Sequence, residues 1–73
     1  MIIRKISVGA DYKSAMNYIV GQSVLNGSHV IHHISGSDDG SFLVYIEKEK
    51  EIIMWKKFST NMPVSVEFNI DFI

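Results

Sequence analysis

The chain has no cysteine and a single proline in 73 residues. The first absence excludes disulfide staples and thiolate metal sites, and suits a reducing compartment. An excess of either charge is also missing. Seven Lys and Arg face eight Asp and Glu, for a net charge of −1. A duplex-DNA binder carries a basic balance or a basic stripe. Here the cations are spread along the chain, which argues against broad phosphate-backbone binding but leaves room for one small anionic ligand. No apolar run approaches the ~20 residues of a membrane span. "MIIRK" leads directly into an alternating pattern, without the apolar core of a signal peptide. A cytoplasmic location is therefore expected. The glycine loops that cradle phosphates, G-x-G-x-x-G and G-x-x-x-x-G-K-[ST], are absent, and so is the G-x-S-x-G nucleophile elbow. Neither an enzyme nor a bound cofactor is expected.

What the chain does have is apolar surface. Apolar residues make up 47% of it, a high share for one domain spanning residues 1–73. A domain this small buries only about 60% of the surface its unfolded chain exposes, and such domains usually lean on a staple or a partner. With disulfides excluded, a homo-oligomer is the expected device.

"MIIRKISV" reads as a strand, with Ile2, Arg4, Ile6 and Val8 on one face. Asp11 can cap a helix starting at Tyr12. Tyr12, Ala15, Met16 and Ile19 lie at helical spacing, and Gly21 would end that helix. "QSVLNGSH" carries a tight-turn pair at Asn26–Gly27. "HVIHHIS" and "SFLVYIEK" read as strands on either side of the turn "GSDDG". The second has large apolar residues on both faces, as a central strand would. "EKEK" makes a charged hairpin tip and "EIIMWKKF" returns. After a turn at "STNMP", the end of the chain alternates strictly. Val64, Val66, Phe68, Ile70 and Phe72 point inward, and Ser65, Glu67, Asn69 and Asp71 point to water. The sum is an α+β two-layer sandwich: one short helix on a mostly antiparallel sheet of about five strands.

Few residues suggest chemistry. His29, His32 and His33 would share a strand, with His29 and His33 on one face and His32 opposite. Three or four convergent ligands make a metal site, and no other histidine exists, so no metal is expected. Asp38 and Asp39 are explained by turn chemistry. Trp55 precedes Lys56 and Lys57, and an aromatic beside a cation is a common way to hold a base and its phosphate. It is also what an ordinary half-buried strand looks like. Tyr18 lies off the stripe of Tyr12, Met16 and Ile19, which frees its hydroxyl. Gln22 follows the glycine break.

The stretch "ISVGADYKSAMNYIVGQSV", with "MWKKF" and "NMPVSVEFNIDF" near the end, resembles a group of short proteins of tailed bacteriophages. That pattern opens G-P-D-Y-K-x-A-M-x-Y-x-V-G-Q and closes with W-K-x-F, M-P-V and an E-[FY]-N-I-[DN]-F strand. Ala10 stands where the pattern has proline. The resemblance implies expression in the cytoplasm of an infected bacterium and carries no activity of its own. By analogy with other small phage accessory proteins, the expectation is a non-enzymatic, homo-oligomeric protein that counters host defence. It would sequester a nucleotide-type signal between subunits. Tyr12, Tyr18 or Trp55 would stack on the base, Arg4, Lys13 or Lys56 would meet phosphate, and Gln22 would read a polar edge. The alternatives are an inhibitor docking on a host enzyme through an exposed strand or apolar patch, and a structural or regulatory oligomer.

Overall fold

The computed structural model describes residues 2–69. The described chain is all-β. Its strands are β1 (Ile2–Val8), β2 (Met16–Ile19), β3 (Ser23–Val24), β4 (His29–Gly36), β5 (Phe42–Lys48), β6 (Glu51–Phe58) and β7 (Pro63–Asn69). They form one antiparallel sheet with the order β2-β1-β4-β5-β6; β3 pairs with β4 and β7 pairs with β1. The expected helix, and with it the α+β sandwich, is therefore overturned.

The correction has a local cause. Asp11 does accept from the amides of Lys13 and Ser14, at 3.0 and 2.9 Å, as a helix cap would. The turn is not continued. Met16, Asn17, Tyr18 and Ile19 instead pair with Val8, Ser7, Ile6 and Lys5 of β1. A helix of two turns lies below the length at which helices sustain themselves. The ladder offers four paired positions and a burial site for Tyr18. Inside and outside are thereby exchanged relative to the helical stripe. Tyr12 and Met16 are 76% and 63% exposed, while Tyr18 is buried. Gly21 does take a positive φ of 95°. It does so as the third residue of a turn closed by the Gln22 amide on the Ile19 carbonyl, a position that favours glycine in type II turns.

Four bulges bend the sheet. The paired positions on either side leave Arg4, His32, Trp55 and Val64 each without a direct partner on the neighbouring strand. A bulge adds one residue to one strand and increases local bend and twist. Each also shifts the period-two pattern. Ile3 and Ile6 are both buried across the Arg4 bulge, and Ile31 and Ile34 across the His32 bulge. The expected shared face of Ile2, Arg4, Ile6 and Val8 is thus split: Ile2 and Arg4 are exposed, Ile6 and Val8 buried. In β7 the bulge falls at Val64, and Phe68, expected inward, is 43% exposed. The expected orientations of Asn69, Ile70, Asp71 and Phe72 lie outside the described side chains.

The concave face of the bent sheet holds the core: Ile3, Ile6, Val8, Tyr18, Ile31, Ile34, Val44, Ile46 and Phe58. β5 is paired on both sides, by β4 and β6. β6 is the last strand of the path and pairs only with β5 among the described residues.

Candidate functional site

The turn "EKEK" and the bulge at Trp55 define the region of greatest chemical interest. β5 and β6 are joined through Glu49 and Lys50, which adopt φ of 52° and 69°. Positive φ at both central residues is the type I′ geometry that fits the twist of a two-residue hairpin. β6 then runs "EIIMWKKF" along the sheet edge. The extra residue of its bulge, Trp55, turns towards the core face, where it packs against the buried cluster. Its ring meets Tyr18 of β2 edge-on at 5.9 Å, and Tyr18 in turn lies 5.2 Å from Phe58. The Lys56 ammonium sits over the indole, 4.9 Å from its centroid. Such a cation over an aromatic face contributes about 0.5–1 kcal/mol at an accessible site.

Of the seven residues the sequence singles out, the structure joins three: Tyr18, Trp55 and Lys56. Tyr18 packs its ring in the core, which corrects the expectation that the residue points away from the buried stripe. Arg4 is an exposed bulge residue on β1, and its carbonyl accepts from the Val20 amide at 2.9 Å. Tyr12 and Lys13 lie in the Asp11–Ser14 turn, both exposed. Gln22 closes its own turn by accepting from the Ile19 amide at 3.2 Å. These four are not gathered into one pocket with the aromatic group.

The histidines are arranged differently from expectation. The bulge brings His32 and His33 together, with their Nδ1 atoms 2.8 Å apart, instead of placing them on opposite faces. His33 stacks on Tyr45 at 4.3 Å. Burial, and then the neighbouring His32, lower the His33 pKa below its ordinary value. His29 pairs instead with the Ser28 hydroxyl at 2.6 Å. Among the described residues, no three His, Asp or Glu side chains are placed to hold a metal ion. Asp39 behaves as a turn residue. The Ser37 hydroxyl donates to it, as does the Ser41 amide at 2.9 Å, and these bonds hold its carboxyl well below the usual carboxylate range. An open groove of about 330 Å³ lies at the hairpin tips, lined by His29, Lys48, Glu49, Glu51 and Ile53.

One feature was not singled out from the sequence: the exposure of β6. Ile52, Ile53 and Met54 are 44%, 46% and 51% exposed. The register fixes their faces. Val30, Glu47 and Ile52 stand directly opposite one another across three strands, as do His33, Tyr45 and Met54. Both rows lie on the face opposite the core, since Val44 and Ile46 of the same strand point inward. The signal available in the sequence was the unbroken "IIM" beside a charged hairpin tip.

The described residues form a small, bent, single-sheet β protein in which no other described strand covers the outer edge of β6. No family model, curated protein or solved structure matches the chain. Among the described residues no helix is long and apolar enough to cross a membrane.

Proposed function

We propose that this chain is a non-enzymatic accessory protein of a tailed phage, which acts in the host cytoplasm by docking on a host protein that serves in defence and inhibiting it. The observation that carries this reading is the apolar outer surface beside β6, whose outer edge no other described strand covers. Scattered exposed apolar residues are ordinary, but a contiguous group marks a contact surface. Val30, Ile52 and Met54, 40–51% exposed, share the outer face with the half-buried Tyr45 and Leu43. The phage context rests on the sequence resemblance alone. The test is affinity capture from the bacterial host, with wild type beside Ile52→Lys/Met54→Lys. The expected result is one stoichiometric host protein on the wild type that is lost on the variant. Capture that is identical for both chains, or no partner at all, refutes the reading.

A second reading, capture of a nucleotide-type signal, is favoured by one observation. Trp55 and Lys56 place an aromatic ring and a cation together on the edge strand. Tyr12, Lys13, Arg4 and Gln22 do not complete a pocket around them within one chain, so a subunit interface would have to. Calorimetry against cyclic and linear nucleotides tests it, and absence of heat across the panel removes it.

A further inference from the structure

The edge of β6 that no other described strand covers has an unequal charge distribution. Its first residue is acidic, Glu51, its middle is apolar, Ile52 to Met54, and its last third is basic, Lys56 and Lys57. Lysines on an edge strand ordinarily discourage pairing with other strands. They discourage it least where the incoming strand offers carboxylate. An antiparallel copy of β6 does so: a twofold axis near Met54 sets Glu51 of each chain beside the lysine end of the other. A parallel copy sets Glu51 against Glu51 and lysine against lysine. Strand charge and strand polarity therefore select one arrangement.

We propose that β6 pairs antiparallel with β6 of a second copy of this chain, giving a twofold dimer with a continuous sheet. The occupant of the edge is thus this protein itself. The apolar run Ile52–Met54 lies at the centre of the contact, where residues are excluded from water. Glu51 and the partner's Lys56 and Lys57 lie at its two ends. The pairing gives partners to the backbone N–H and C=O groups on the side of β6 that no described strand covers. The two outer apolar faces become one surface across the axis, which doubles the area available to a further partner. The Trp55–Lys56 pairs of the two chains are brought to the same seam. The dimer goes beyond the proposed docking function and requires neither a host protein nor a ligand.

The experiment is sedimentation equilibrium and native mass spectrometry of the full chain, with three variants. Glu51→Lys makes the edge basic, and Lys56→Glu/Lys57→Glu makes it acidic. The triple variant Glu51→Lys/Lys56→Glu/Lys57→Glu reverses the charge pattern and keeps its complementarity. Glu51 and Lys57 are exposed, Lys56 is half-buried over Trp55, and Lys57 pairs with Asp39 at 3.4 Å, so circular dichroism and tryptophan fluorescence check that each variant keeps the fold. The expected result is a wild-type dimer of two 8.3 kDa chains. The basic and acidic variants each dissociate at least tenfold more readily. An equimolar mixture of the two forms a heterodimer, and the triple variant returns to the wild-type constant. A wild type that stays monomeric at 100-fold the concentration needed for detection overturns the proposal. So does a dimer whose dissociation is unchanged in every variant, which would assign the contact to another surface. Host capture by the monomeric acidic or basic variant separates failure of the dimer from failure of the docking reading.

Discussion

Ile46 and Ile53 stand directly opposite each other on β5 and β6. Ile46 is fully buried and Ile53 is 46% exposed. The two residues are chemically identical and neighbours in one ladder, so residue type cannot account for the difference. Position in the sheet does: β5 is flanked on both sides and crossed by the bend, whereas β6 ends the path. The comparison separates two uses of isoleucine, one that holds the fold and one that offers a surface. The largest predicted effect follows from it. Ile46→Ala destabilises the fold by about 2–5 kcal/mol through lost burial and the cavity left behind. Ile53→Ala, measured by urea unfolding at the lowest practical protein concentration, changes stability by no more than about 1 kcal/mol. Equal losses at the two sites would mean that the edge is covered as well as the core.

Tyr18 joins these two regions. Its ring meets both Trp55 and Phe58 of β6, so it fastens the edge strand across the concave face. Tyr18→Leu keeps an apolar side chain but loses two aromatic contacts, each contributing about 0.5–1.5 kcal/mol beyond area. The expected loss is about 1–3 kcal/mol, with increased acrylamide quenching of the single tryptophan. Unchanged quenching would show that Trp55 is held in place without Tyr18.

Most of the strands and turns were legible in the sequence because their signals are local. The turns at Asn26–Gly27, "GSDDG" and "EKEK" fall where expected. The sequence points to a helix because Asp11 makes the bonds of a cap, but that turn goes no further and β2 is fixed by pairing with β1. That pairing is a tertiary effect, invisible to spacing. The bulges were illegible for a similar reason. "MIIRKISV" and "HVIHHIS" alternate in either phase, and only the partner strand decides which residue is extra. The absent helix moves part of the candidate site with it. Tyr18, assigned to the surface on helical phase, is core, whereas Trp55 and Lys56 come together as their adjacency in sequence suggests. Ile52 to Met54 were read as part of a returning strand, with no indication of which edge would stay open.

The connection between β5 and β6 allows the edge to be sharpened. Glu49 and Lys50 both hold positive φ, a region that costs non-glycine residues about 1–2 kcal/mol. Lys50→Gly relieves one of the two and, after the ~0.4–1 kcal/mol of unfolded-chain entropy that glycine adds, stabilises the hairpin by up to about 1 kcal/mol. The core is untouched, so the gain appears in the urea midpoint at constant slope. A loss of stability instead would show that the Lys50 side chain contributes more to the hairpin than its backbone strain costs.

The smallest effect distinguishes the two faces of the sheet by pH. Among the described residues the buried set holds no Asp, Glu, Lys, Arg or His. His33 is the group to follow, because burial beside Tyr45 and the charge of His32 favour its neutral form in the folded chain. Its folded pKa lies below the ordinary value of 6.5, so the unfolded chain takes up the proton first. Stability is then fully present above that ordinary value, and falls as pH drops from it through the lowered folded value. Asp39 and Asp11 act in a separate window. Hydrogen bonds from serine partners lower both carboxyl pKa values, so their contribution persists until pH falls below about 3.8, the ordinary value for aspartate. His33→Gln should abolish the upper window and leave the lower one. Urea midpoints between pH 8 and 3 would show this, and an unchanged upper slope in the variant would overturn the assignment of the upper window to His33.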